Sequence, residues 1–304
     1  MAGPNGRFVW YELMTTDMAS ARAFYAAVLG WGVEDRSTSN LAYTLFTSAQ
    51  TPVSGLMDLP QEARRAGATP RWMGYVGVDN AEVTTAALKR LGGTVYVPPT
   101  DSNIGRIAVV TDPQAATLAL VQGLSVGRAK GGRRNPVEPN KRGRVGWHEL
   151  LTTDPGNAFA FYGRLFDWRQ ADGETEAGAT YRLFAAGDEP IGGMFNIRPM
   201  DPVPFWLFYF NVGDVDAAMG RVENAGGSVF EGPLEIPDGS WIARCRDPQG
   251  AAFALQGKRS QVGIARAPAS EVSWSTNWGG VSSRGRLVVN KPRDRKPASA
   301  DPED

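Results

Sequence analysis

The chain is poor in the residues that carry metal and redox chemistry. One histidine, His148, and one cysteine, Cys245, occur in 304 residues. A single cysteine excludes an intramolecular disulfide and leads us to expect a soluble protein of a reducing, cytoplasmic compartment. One histidine cannot supply a 2-His-1-carboxylate iron site, nor a three-His or two-His-plus-Glu zinc site, within one chain. An excess of one charge is lacking too. Lys plus Arg and Asp plus Glu both total 32, which argues against nucleic acid or an anionic membrane as the main partner. The opening residues 1–8 lack the charged and apolar regions of a signal peptide. The longest apolar run, Val203–Val212, falls far short of the ~20 residues that span a bilayer. No P-loop, GxGxxG fingerprint or Ser-His-Asp order is present.

What is there is a duplication. The segment Gly6–Trp31 returns without a gap as Gly143–Trp168, with the same residue type at 13 of 26 positions. Later stretches repeat in order: AYTLF (42–46) with TYRLF (180–184), PVSGLM (52–57) with PIGGMF (190–195), WMGYVGV (72–78) with WLFYFNV (206–212), and DPQAATLALVQG (112–123) with DPQGAAFALQG (247–257). So long a period signals a duplicated domain and not a short-repeat solenoid. We expect domain 1 over residues 6–123, a basic Gly/Pro linker over 124–142, domain 2 over 143–258 and a polar, partly disordered tail over 259–304. The tail contains Trp274 and Trp278, which would suit docking onto a domain or a partner.

Both halves read alike. Phe8–Met14 and Val145–Leu151 are short aromatic and branched runs that predict strands. Asp17 and Asp154 follow where an N-cap belongs, with Pro155 at a first helical position. Ala21, Phe24, Tyr25, Val28 and Leu29 then recur at helical spacing, as do Ala158, Phe161, Tyr162, Leu165 and Phe166. Short strands broken by Gly, Pro and Asp follow, and the plan repeats from Trp72, with a helix over about 80–91. Each half is thus β-α-β-β-β twice over, an α+β class in which helices cover one face of the sheet.

The paired modules, the FYxxxLGW-type helix ends (Phe24–Trp31, Phe161–Trp168) and the DPxG-type turns (Asp112–Ala115, Asp247–Gly250) resemble the vicinal oxygen chelate superfamily. That group includes glyoxalase I, bleomycin-resistance proteins and extradiol dioxygenases, and the chain is most similar to its two-domain bacterial glyoxalase-like members, over about residues 6–257. The resemblance implies tandem domains, each a curved, cup-shaped mixed sheet with helices outside, packed together as an intramolecular pseudo-dimer. It also implies a divalent metal inside the cup on His, Gln or Glu. Carried over by distance from the shared motifs, those ligand positions hold Trp10 and Trp147, Met73 and Leu207 (beside Trp72 and Trp206), Ala119 and Ala254, and Met57 and Phe195. None is a useful ligand for a divalent metal, so we expect no metal and no other cofactor.

Both copies keep Trp-x-Glu on the first strand, Trp10 with Glu12 and Trp147 with Glu149. Alternation puts Trp and Glu on one face, and Tyr11 or His148 on the other. In the resembled fold the Trp–Glu face looks into the cup. A carboxyl there has a raised pKa and suits a general base or a partner for a ligand amine. The competing structural role is an ion pair with an arginine such as Arg106 or Arg244. Trp72, Tyr75, Trp206 and Tyr209 also recur, as core or as walls for a flat apolar ligand. His148 is expected to be structural. Cys245 lies between two arginines that would lower its pKa, yet its counterpart is Val110, which suggests a core strand position. The expected function is binding of a small organic molecule in aromatic-lined cups. The alternatives are a glyoxalase-type lyase or isomerase, metal-free with Glu12 or Glu149 as base or metal-dependent, and a regulatory module acting through the tail.

Overall fold

The structure, a computed structural model, describes residues 5–126, 140–171, 181–198 and 203–259. The tail with Trp274 and Trp278 and most of the expected basic linker lie outside these residues. Domain 1 runs β1 (Phe8–Thr15), α1 (Met18–Leu29), β2 (Gly32–Asp35), β3 (Tyr43–Ser48), β4 (Thr51–Asp58), α2 (Gln61–Arg65), β5 (Arg71–Gly77), α3 (Ala81–Arg90), β6 (Thr94–Ser102), β7 (Gly105–Thr111) and β8 (Thr117–Gln122). Domain 2 runs β9 (Val145–Thr152), α4 (Pro155–Phe166), β10 (Trp168–Gln170), β11 (Arg182–Ala186), β12 (Glu189–Asn196), β13 (Phe205–Asp214), α5 (Val215–Asn224), β14 (Ser228–Glu235), β15 (Trp241–Arg246) and β16 (Ala252–Lys258). Among the described residues no helix is long and apolar enough to cross a membrane.

The expected βαβββ modules are present, with the short α2 added between the first two. Asp17 and Asp154 cap α1 and α4, each accepting a bond of 2.9 Å from a first-turn amide, and Pro155 opens α4 where its missing N–H costs nothing. Each domain forms one eight-stranded mixed sheet, ordered β2-β3-β4-β1-β5-β8-β7-β6 and β10-β11-β12-β9-β13-β16-β15-β14. The modules join where β1 pairs antiparallel with β5, and β9 with β13. Each joining strand has a parallel neighbour from its own module.

The helices lie on one face of each sheet, and the two helix-bearing faces share a single apolar core. Phe8, Tyr25, Trp31 and Trp72 of domain 1 belong to it, with Trp168, Trp206, Phe208, Phe210 and Phe253 of domain 2. A second, smaller apolar cluster occupies the helix-free face of each sheet.

The domains meet about a pseudo-two-fold axis, and several of their polar contacts come in equivalent pairs, as an isologous interface leads one to expect. Tyr25 O–H donates to Asp247 and Tyr162 O–H to Asp112, each at 3.1 Å. Trp31 Nε1–H donates to Gly143 O at 2.9 Å, and Trp168 Nε1–H to Gly6 O at 2.5 Å. Each Asp is the first residue of a DPQ turn whose amides its other oxygen also binds. The glutamine of each turn reaches the opposite domain: Gln114 bonds the backbone of Asp154, and Gln249 the hydroxyl of Ser20. On the axis, Tyr11 meets its own counterpart, His148.

Candidate functional site: a buried carboxyl ring in each domain

Alternation on β1 sends Trp10 and Glu12 to the helix-free face and Tyr11 and Leu13 to the shared core. The register on either side decides what surrounds them. Tyr75 lies opposite Trp10 and Met73 opposite Glu12; Ala119 lies beside Tyr75, and Met57 beside Met14 on β4. The four positions carried over from the resembled fold's metal site, Trp10, Met73, Ala119 and Met57, therefore share one apolar cluster. In domain 2, Trp147, Leu207, Ala254 and Phe195 do the same. Indole, thioether and aliphatic groups do not suit a divalent cation that seeks oxygen or imidazole. Among the described residues no three His, Cys, Asp or Glu side chains gather. The residues present thus do not fit the metal that the fold implies.

Glu12 is buried and accepts three hydrogen bonds. Tyr43 O–H donates to one oxygen and Tyr75 O–H to the other, both at 2.5 Å, and Trp10 Nε1–H adds a third at 3.3 Å. Among the described residues no cation reaches it. Burial raises its pKa, and the donated hydrogen bonds only partly oppose this. Burial also holds Tyr43 and Tyr75 protonated, as donors. Gly55, opposite Glu12 on β4, makes the ring possible. A Cβ there would lie 2.2 Å from the Tyr43 hydroxyl and 3.0 Å from Glu12 Cγ. Its counterpart Gly193 leaves the same room for Tyr181.

Domain 2 repeats the ring and adds charge. Glu149 accepts from Tyr181 O–H at 3.0 Å and from Tyr209 O–H, while Trp147 Nε1–H donates to Tyr181 O–H at 3.0 Å. Arg244 then enters from β15. Its guanidinium donates to Glu149 at 2.6 Å, to Glu231 at 2.9 Å and to Tyr209 at 2.8 Å, and lies 5.2 Å over the Phe195 ring. Arg244 is 1% exposed, yet stays charged, since Glu149, Tyr209 and Glu231 together outweigh the burial that opposes its charge. Arg198 also contacts Glu231, at 3.4 Å. The pairing registers identify the corresponding residues of domain 1. Arg244 lies beside Ala254 and Glu231, and Val109 beside Ala119 and Val97. Valine therefore stands at both positions of the buried ion pair in domain 1.

Three expectations need correction. Of the two roles open to Trp72 and Trp206, the wall of the cup is ruled out, because both lie on the opposite face in the shared core. Trp72 Nε1–H donates to Tyr25 O–H at 2.9 Å, and Trp206 sits edge-on to Tyr162 and Phe8. Neighbours on a strand point to opposite sides, so with Met73 and Tyr75 in the cup, Trp72 cannot be. Arg106 does not pair with Glu12. It sits at the surface with Glu82 and Asp101, whereas Arg244 does pair with Glu149. The thiol of Cys245 is pushed up to about 12 by burial, not lowered by its neighbours, because Arg244 turns to the other face. Trp10, Tyr75, Trp147 and Tyr209 do lie beside the carboxyls. His148 is buried away from the cups, stacked 4.3 Å from the Phe8 ring. Tyr43 and Tyr181 were missed as ring members, although their recurrence in AYTLF and TYRLF was a visible signal.

Comparison with known proteins agrees with this architecture. A model of the Glyoxalase/Bleomycin resistance protein/Dioxygenase superfamily matches residues 7–120 and 144–255. The chain belongs to that superfamily. Among its relatives is CFP32 of Mycobacterium tuberculosis, provisionally named a glyoxylase, 34% identical over 250 residues that cover 81% of this chain and 92% of that one. Another is the anthracycline biosynthesis protein DnrV of Streptomyces peucetius, 30% identical over 263 residues, 82% of this chain and 92% of that one. Solved superfamily structures share the fold. The Mn(II)-bound glyoxalase of Novosphingobium aromaticivorans superposes with a TM-score of 0.59 at 13% identity, over 84% of this chain and 83% of that one. The 2,3-dioxygenase LapB of Pseudomonas sp. KL28 gives 0.58 at 12% identity, over 86% and 96%.

Proposed function

We propose that this glyoxalase-like protein binds a small organic molecule with a flat apolar body and does so without a divalent metal. One observation carries the reading. Both domains keep the Trp–Glu–Tyr–Tyr ring, while all four positions expected to hold a metal carry side chains that do not bind one. A hydrogen-bonding carboxyl set among indole, phenol and aliphatic groups suits orienting a mostly apolar ligand by one polar edge. The relatives named for anthracycline biosynthesis favour polycyclic aromatics as the first class to try.

The test is a screen of polycyclic aromatics read by tryptophan fluorescence and melting temperature, with metal analysis of protein purified without added metal. Quenching and a raised melting temperature with sub-stoichiometric metal are expected. One equivalent of Mn, Fe, Ni or Zn that is lost on Glu12→Gln or Glu149→Gln would overturn the metal-free reading. A screen without a ligand would overturn binding. The raised pKa of Glu12 favours a second reading, a metal-free lyase or isomerase with Glu12 as base. Glu12→Gln separates the two, since catalysis is lost with affinity retained only if Glu12 moves a proton.

A further inference from the structure

The duplication lets one domain report on the other. Each holds a buried carboxyl between two tyrosines with an indole beside it, and the two rings match residue for residue. They differ in what neutralises the carboxyl. Glu149 has Arg244, whose guanidinium is fixed by Tyr209 and Glu231 and covered by Phe195. Glu12 has hydrogen-bond donors and, among the described residues, no cation. Val109 and Val97 stand where Arg244 and Glu231 do, so both the cation and the second carboxylate that holds it are missing together. Three neutral donors are retained around Glu12, although no buried charge pair requires them.

We propose that the domain 1 cup binds an organic cation, a protonated amine on a flat apolar body, with its ammonium paired to Glu12 as the Arg244 guanidinium is paired to Glu149. The domain 2 cup, filled by its own arginine, is the structural copy. This rests on the reading that the cups bind an organic ligand, and it adds which cup and what charge. The walls of the domain 1 cup suit such a body, since Trp10, Met73, Leu45 and Val121 line the same cluster as the carboxyl. Ile104 and Leu124 are buried members of the cluster that come from loops, tied together by a bond of 2.9 Å from Ser125 N–H to Ile104 O. On this proposal the ligand enters by displacing these two loop residues, with no strand broken.

The test titrates the full chain at neutral pH with three probes on one carbon frame: 1-naphthylmethylamine, 1-naphthalenemethanol and 1-naphthoate. The amine is expected to bind one per chain and at least about tenfold more tightly than the alcohol, with the carboxylate weakest. Glu12→Gln should bring the amine down to the alcohol's affinity and leave the alcohol's own unchanged. Val109→Arg, which gives domain 1 the arginine of domain 2, should abolish amine binding, with circular dichroism and the melting curve checking that each variant is folded. Equal affinity for amine and alcohol in the wild type overturns the inference without needing either variant, and so does full amine affinity in folded Glu12→Gln. Neither result touches the broader reading, which falls only if the polycyclic screen finds no ligand. Failure of all three probes overturns the inference alone.

Discussion

His148 and Arg244 are both buried, but the first is neutral and the second charged. The ring of His148 has two partners. Nδ1 lies 2.6 Å from Ile191 O and Nε2 lies 2.6 Å from the Tyr11 hydroxyl. A carbonyl only accepts, so Nδ1 carries the proton and Nε2 accepts from Tyr11. Burial lowers the pKa to about 4, while in the unfolded chain it lies near ~6.5. The folded value is the lower one, so the unfolded chain binds the extra proton first as pH falls. This contribution to stability is complete above ~6.5 and is lost towards about 4, by roughly 3 kcal/mol in all. His148→Gln, which keeps an acceptor for Tyr11, should flatten that part of the stability–pH curve relative to wild type in denaturant melts. An unchanged difference between pH 7 and pH 4.5 would contradict the assignment. Arg244→Leu leaves the buried Glu149 without a cation, while Glu231 keeps Arg198, and should cost about 3–5 kcal/mol. Val109→Leu, at the equivalent position of domain 1, should cost less than about 1.5 kcal/mol. Glu12 and Glu149 were legible in the sequence as an alternating pair with Trp. The ion pair of Glu149 was legible only as one of two candidates, because nothing local ties β15 to β9 across the intervening β13 and β16.

Secondary-structure elements were easier to read than the faces they present. Caps, helical stripes and turns depend on neighbours in sequence, and Asp17, Asp154 and Pro155 do what their chemistry predicts. Strand β5 is different. Trp72, Met73 and Tyr75 are all buried, so no apolar–polar alternation separates the core reading of Trp72 from the wall reading. The DPQ turns looked like local punctuation, yet their Asp and Gln side chains hold the opposite domain. One copy also carries a cost the other avoids. Ala115 adopts a left-handed φ of 74°, where domain 2 has Gly250 at 92°. A Cβ is disfavoured there by roughly 1–2 kcal/mol, offset in part by the extra freedom a glycine gives the unfolded chain. Ala115→Gly should therefore stabilise the protein by about 0.5–1 kcal/mol in thermal melts, and Gly250→Ala should destabilise it. Destabilisation by Ala115→Gly, or no loss on Gly250→Ala, would remove the strain argument.

At the scale of the molecule, the two domains do not own separate cores. Phe208 and Phe210 of β13 sit among Phe8, Tyr11, Trp31 and Trp72 of domain 1, so unfolding either domain uncovers the other. Calorimetry of the whole chain should show one transition and not two. A fragment of residues 140–259 alone should pair with its own copy through the face it has lost, seen as a dimer by light scattering; a stable monomer would contradict this. Such a fragment would also bring His148 against another His148. A residue on a two-fold axis faces its own replica, and between identical subunits it has to be complementary to itself. Joining the copies in one chain lifts that restriction, and here a phenol that donates a hydrogen bond meets an imidazole that accepts it. The Tyr11–His148 contact thus needs two copies that differ, and it fixes which half is which.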